Sequence, residues 1–219
     1  MDLFDGKDPA QIGRTLLAEG ALLLRGLALA QAGALVSAVA GVAANAPFRK
    51  MQTPGGRQMS VAMTNCGAAG WVSDHAGYRY APCDPMTGRP WPAMPDCFRV
   101  LAVSAAAEAG YPGFHPDVCL INRYEPGARL SLHQDRDEQD FTQPIVSVSL
   151  GLPASFQFGG ARRSDPVRRH VLCHGDVLVW GGPSRLYHHG ILPLKEGTHP
   201  ELGRIRLNLT FRRALEKLG

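Results

Sequence analysis

The segment Leu120-Ile-Asn-Arg-Tyr-Glu-Pro-Gly-Ala-Arg-Leu-Ser-Leu-His133-Gln-Asp135-Arg-Asp137 ends in one imidazole and two carboxylates. In an extended backbone, residues two apart point to the same side, so His133 and Asp135 can offer a nitrogen and an oxygen to one point. That donor pair suits Fe(II), Mn(II) or Zn(II). With a second histidine and open positions, it becomes the 2-His-1-carboxylate set of non-haem Fe(II). His-x-Asp alone is a weak signal, since most such tripeptides are solvated turns. A third ligand is needed.

Downstream, Arg185-Leu-Tyr-His188-His189-Gly-Ile offers two candidates. Neighbours on a strand face opposite ways, so only one of His188 and His189 can join His133 and Asp135, and spacing does not choose between them. The strand after it is also informative. Arg206, Asn208, Thr210 and Arg212 alternate with Leu207, Leu209 and Phe211. A solvated outer face would also alternate in this way, but the polar set holds two guanidiniums and no Glu or Lys. Planar guanidiniums pair bidentately with carboxylates, which makes a dicarboxylate pocket one reading of this face.

The elements that must position these groups come in blocks. A strand near Ala21–Leu24 and an Ala-rich helix from about Ala30 to Ala44 are expected first. Arg25 and Gln31 interrupt the apolar run from 20 to 44, and Gly and Ala dominate it, so it reads as a core helix and no membrane span is expected. From 46 to 95, Gly and Pro are dense between three short runs, Gln58–Thr64, Gly70–Val72 and Gly77–Tyr80. This pattern predicts small hairpins and a loop-built recognition lid. In it, Trp71, Tyr78 and Tyr80 could equally be packing residues. A helix follows from Pro95 to Ala109, stopped by Gly110. Strands are then expected at Val118–Tyr124, Ile145–Leu152, Ser155–Phe158, Val167–Cys173, Val177–Trp180, Leu186–Ile191 and Arg204–Arg213, with His174-Gly175-Asp176 as a hairpin turn and no helix before the last few residues. Many short strands after a helical start point to a sandwich or jelly roll. The expected divisions are 1–45 as support, 46–95 as lid and 96–219 as catalytic core, within one structural domain.

With 219 residues, 45% of them hydrophobic, the chain can bury one sizeable core. The formal charge is +4, carried by 19 Arg against 4 Lys, which permits a nucleic-acid partner without requiring one. Five scattered cysteines with no Cys-x-x-Cys pair argue against a disulfide framework and a cysteine zinc site, and fit a reducing cytoplasm. The acidic first residues lack a signal peptide's basic region.

Together Asn122-Arg-Tyr124, His133-Gln-Asp135, Ser147-Val-Ser-Leu-Gly-Leu-Pro, Phe156-Gln-Phe-Gly-Gly160, His174-Gly-Asp-Val, Val179-Trp-Gly-Gly, His189-Gly-Ile and Asn208-Leu-Thr-Phe-Arg212 resemble the bacterial AlkB family. The likeness extends through Pro47-Phe-Arg, Thr53-Pro-Gly-Gly, Met59-Ser-Val-Ala-Met-Thr-Asn-Cys66-Gly and Pro90-Trp-Pro-Ala-Met-Pro95, and covers nearly everything after 46.

The resemblance implies a mainly β fold with flanking helices: a double-stranded β-helix with an N-terminal nucleotide-recognition lid. It implies Fe(II) held by the catalytic residues His133, Asp135 and His189, with dioxygen and 2-oxoglutarate as cosubstrates. Arg206 would take the distal carboxylate and Arg212 the one nearer the metal, with Asn122, Tyr124 and Asn208 completing the pocket. The implied reaction is oxidative demethylation of 1-methyladenine or 3-methylcytosine in DNA, or in RNA, with release of succinate, CO2 and formaldehyde. The base must be flipped or single-stranded. Trp71 and the His133 ring would stack on it, Tyr78 would contact the backbone, Asp137 would meet the exocyclic amino group and Arg163 would help line the pocket. A cytoplasmic monomer is expected. The rival readings are a dioxygenase of the same fold acting on modified tRNA, a protein or a small molecule, and a jelly-roll binding module without chemistry.

Overall fold

A computed structural model describes residues 13–215. The expected end helix falls beyond these residues. The chain runs β1 (Gly13–Ala18), β2 (Ala21–Arg25), α1 (Ala32–Asn45), β3 (Ala62–Gly67), β4 (Gly70–Asp74), β5 (Gly77–Ala81), α2 (Asp96–Glu108), β6 (Val118–Tyr124), β7 (Leu130–His133), β8 (Ile145–Gly151), β9 (Ala154–Phe158), β10 (Arg168–Leu172), β11 (Val177–Trp180), β12 (His189–Ile191) and β13 (Arg206–Arg212).

Two sheets face each other. The larger has the order β1-β2-β11-β8-β13-β6-β3, the smaller β10-β9-β12-β7, and β4 and β5 form a separate hairpin. Alternation along the strands divides the core into two layers. Leu207, Leu209 and Phe211 of β13 join α1 and α2 in one apolar cluster, while Phe156, Trp180 and Ile191 belong to another between the sheets. The opposite face of β13 is therefore turned inward, and Arg206, Asn208, Thr210 and Arg212 are all buried. A solvated outer face is excluded.

Both helices are placed by local chemistry. Alanine gives α1 its propensity, and Ala32, Leu35, Val39 and Val42 bury one stripe. It ends where Pro47 forces Ala46 into an extended conformation. In α2, Asp96 sits in the first turn, where the helix dipole favours a carboxylate. Gly110, at φ 95°, closes the other end as Tyr111 N–H bonds back to the Ala106 carbonyl at 2.8 Å.

Four expectations need correction. β1 was not foreseen: it is an edge strand with mostly exposed residues, so it lacks a buried alternating pattern. β3, from the Gly- and Pro-rich stretch, pairs with β6 in the large sheet. The strand expected over Leu186–Ile191 shortens to β12, because Gly182–Ser184 is a 3-10 turn containing Pro183 and the chain bends before it can pair. His174-Gly175-Asp176 is not a hairpin turn, since it joins β10 of the small sheet to β11 of the large one. Gly175 has φ 81°, and the Asp176 carboxylate accepts from Cys173 N and Gly26 N at the corner. All five cysteines are free, and none of the described helices is long and apolar enough to cross a membrane.

Candidate metal and 2-oxoglutarate site

His133 on β7 and His189 on β12 are directly opposed in the strand register. Cross-strand partners share a face, so pairing alone brings the two imidazoles together, with ring centroids 4.4 Å apart. Asp135 lies just beyond β7. Its Oδ1 is 3.6 Å from His133 Nε2, and its Oδ2 is 3.8 Å from His189 Nε2. One ligand atom from each of the three lies within 4.8 Å of the others. His133 Nδ1 is 2.8 Å from the Ser131 carbonyl, and His189 Nδ1 is 3.0 Å from the Tyr187 carbonyl. Carbonyls only accept, so Nδ1 carries the proton in both rings and each Nε2 presents its lone pair to the common point. His188 turns away, with Nδ1 3.3 Å from the Gly160 carbonyl. The register that opposes His189 to His133 brings His189, and not His188, into the candidate cluster.

The protonation states suit a divalent cation. Burial, and then His133, push the His189 imidazole down to about 4, so it is neutral near pH 7. Burial alone would raise Asp135, but Arg212 and then the two histidines outweigh it and hold the carboxyl below the usual range.

Behind the triad, a cavity of about 600 Å³ opens between the sheets. Asn208 is the register partner of Asn122, and Arg206 that of Tyr124, so the pocket residues foreseen in the sequence are cross-strand pairs. Asn122 Nδ2 donates to Asn208 Oδ1 at 3.3 Å, and Asn208 Nδ2 donates to Ser147 Oγ at 2.8 Å. Arg206 is only 1% exposed, and among the described residues no carboxylate pairs with it. Nη2 donates to Ser149 Oγ at 3.0 Å, the guanidinium carbon lies 4.9 Å from the Tyr124 ring centroid, and Nε and Nη1 have no hydrogen-bond partner among the described residues. Burial, acting against the favourable Tyr124, lowers its pKa. Arg212 is placed differently: Nε and Nη2 reach Asp135 Oδ2 at 3.0 and 2.7 Å, and Nη1 has no hydrogen-bond partner among the described residues. A buried, unpaired guanidinium is costly, and a carboxylate ligand would neutralise it. The donor set fits Fe(II) at the triad and a dicarboxylate beside it.

Of the other expected residues, Trp71, Tyr78 and Asp137 gather at the mouth. Trp71 and Tyr78 stack with centroids 5.6 Å apart and planes 13° from parallel, and Trp71 Nε1 donates to Asp137 Oδ2 at 2.7 Å. Arg163 stands apart from the cavity wall and donates from Nη1 to the Leu132 carbonyl at 2.8 Å, beside His133. Sequence reasoning passed over Arg57, Arg129 and Arg136, which line the mouth, and over Glu138 and Arg185, a buried pair at 3.1 Å. The arginines carry no local pattern, and Glu138 and Arg185 are far apart in the chain.

A two-sheet β fold with a His-x-Asp…His cluster at the mouth of an arginine-lined cavity suited to a dicarboxylate defines an Fe(II)- and 2-oxoglutarate-dependent oxygenase. The family model of the 2OG-Fe(II) oxygenase superfamily matches residues 20–212, and the chain belongs to that family. It is 58% identical over 217 residues to the alpha-ketoglutarate-dependent dioxygenase AlkB of Salmonella typhimurium, covering 99% of each chain. Identity to AlkB of Escherichia coli is likewise 58%, over 99% of each chain. The solved structure of OsALKBH1 superposes with a TM-score of 0.81 at 28% identity, covering 92% of this chain and 100% of that one.

Proposed function

We propose that the protein demethylates N-alkylated bases of the 1-methyladenine and 3-methylcytosine type in nucleic acid. The carrying observation is the buried, unpaired Arg206 at the far end of a cavity whose near end is the histidine and carboxylate triad. A five-carbon dicarboxylate would satisfy both ends, its distal carboxylate paired with Arg206 and its proximal one with Arg212. Tyr124, Asn122 and Asn208 supply the remaining polar wall. His133, Asp135 and His189 would hold Fe(II), which would supply the coupling of oxidative decarboxylation of 2-oxoglutarate by dioxygen to hydroxylation of the N-methyl carbon, released as formaldehyde.

The protein's own contribution is geometry. Trp71 offers an aromatic face at the mouth, and the half-buried His133 ring offers a second. A flipped base between them would place its methyl group beside the triad. Asp137 accepts from the Trp71 indole through one oxygen, which leaves the other to accept from the exocyclic amino group of a cationic base. Tyr78, 48% exposed, would meet the backbone, Arg57, Arg129 and Arg136 at the cavity would supply cations for phosphate, and Arg163 would help line the pocket from beside His133. The β4–β5 hairpin carrying Trp71 and Tyr78 acts in this reading as the recognition lid.

His133→Ala separates binding from chemistry. The variant is expected to lose Fe(II) binding and demethylation while holding a methylated oligonucleotide with an affinity within about tenfold of wild type, as expected for loss of one stacking face. Retained demethylation would overturn the assignment.

A further inference from the structure

Glu138 is a buried carboxylate near the site with three side-chain partners, and the reaction scheme above gives it no part. Its side chain is 2% exposed. Oε1 accepts from the Tyr80 hydroxyl at 2.7 Å and lies 3.2 Å from Arg212 Nε, while Oε2 accepts from Arg185 Nη2 at 3.1 Å. Arg185 Nη1 donates in turn to the Asp135 carbonyl at 3.1 Å, and its Nε to the Gln143 carbonyl at 2.9 Å. Arg212 grips the Asp135 carboxylate. Asp135 is thus held at its backbone by one guanidinium and at its side chain by the other, and both guanidiniums lean on Glu138. Two carboxylates and two guanidiniums sum to zero charge, so the group is neutral before any ligand arrives.

Tyr80 comes from the hairpin. It is the register partner of Trp71, so the two share a face. Trp71 bonds to exposed Asp137 and Tyr80 to buried Glu138, so one hairpin face meets two consecutive carboxylates. The exposed bond can be exchanged for a ligand. The buried bond cannot break without leaving a carboxylate oxygen short of a donor.

We infer that Tyr80 and Glu138 are positioning residues for the metal and 2-oxoglutarate pocket. Glu138 fixes Arg212 and Arg185 and, through them, Asp135, while Tyr80 ties the hairpin to that group. The inference rests on the reading of the cavity given above. It makes a hairpin hydroxyl matter to cosubstrate binding when no nucleic acid is present, which a purely substrate-contacting or structural hairpin residue would not.

The test is anaerobic calorimetry of the full chain with Mn(II) and 2-oxoglutarate, without nucleic acid. Glu138→Gln is expected to raise the 2-oxoglutarate Kd in the Mn(II) protein about ten- to hundredfold, the range for residues that orient metal ligands, and Tyr80→Phe roughly fivefold. Arg79→Gln, which breaks the Arg79–Asp74 pair within the same hairpin, should stay within about twofold of wild type if hairpin loosening alone is not the cause. If Glu138→Gln does not fold, Tyr80→Phe decides alone. A wild-type Kd in Tyr80→Phe, or equal weakening in Arg79→Gln, overturns the inference. Failure of the wild-type protein to bind Mn(II) and 2-oxoglutarate overturns the cavity reading, and this inference with it.

Discussion

The two pocket arginines sit on one strand face and have opposite electrostatic situations. Asp135, Tyr80 and Glu138 outweigh the burial of Arg212 and raise its pKa, whereas burial lowers that of Arg206, whose neighbours are the Tyr124 phenol and the Ser149 hydroxyl. Arg206→Met should therefore act in two directions. Removing an unpaired buried charge should leave the ligand-free protein as stable as wild type or more so, by thermal melting. Losing the partner of the distal carboxylate should cost about 2–5 kcal/mol of 2-oxoglutarate binding, seen as a KM raised roughly 30-fold or more. A lower Tm with unchanged KM would assign Arg206 to stability alone. Tyr124 gives a pH signature. Burial, opposed by Arg206, raises its phenol to about 12, above the ordinary 10.0. The folded state then holds a proton that the unfolded state releases, so this contribution is complete below pH 10 and is lost as pH rises towards 12. Urea unfolding between pH 9 and 12 should show stability falling across that window, and Tyr124→Phe should flatten part of the fall. Equal slopes in the two proteins would contradict the placement.

At the scale of elements, the site is made by strand register. β7 and β12 oppose the two histidines, while β6 and β13 oppose Asn122 with Asn208 and Tyr124 with Arg206. The alternation of β13 and the His-x-Asp spacing were legible because period-two patterns are encoded locally. β1 was not legible, because an exposed edge strand has no buried face to leave a pattern. The corner at Gly175 was misread because a turn's residues do not say whether the next strand returns to the same sheet or crosses to the other. Glu138 and Arg185 were invisible as partners because only the folded chain brings them into contact. The hairpin has its own anchor. A Cβ on Gly70 would lie 2.4 Å from the ring of Trp91, whose Nε1 donates to the Ala81 carbonyl at 2.9 Å. Gly70→Val should displace the hairpin at a cost of about 1–3 kcal/mol. It should raise KM for a methylated oligonucleotide several-fold, with a smaller change for 2-oxoglutarate. An unchanged oligonucleotide KM would detach the hairpin from substrate recognition.

At the scale of the molecule, two sheets meet so that the polar inner face of the large one closes the back of a cavity, while the small one supplies both histidines. The mouth is bounded by the hairpin and by arginines that contribute to the net charge of +4. The central claim is that this cavity oxidises a methyl group on a base. It is tested most directly by mass spectrometry of a single-stranded oligonucleotide carrying one 1-methyladenine or 3-methylcytosine, incubated in air with the protein, Fe(II) and 2-oxoglutarate, beside a reaction lacking 2-oxoglutarate. Loss of the methyl group only in the complete reaction, with succinate formed in step, is the predicted result. Succinate formed while the methyl group stays would keep the oxygenase site and contradict the roles given to Trp71, Tyr78, Asp137 and Arg163.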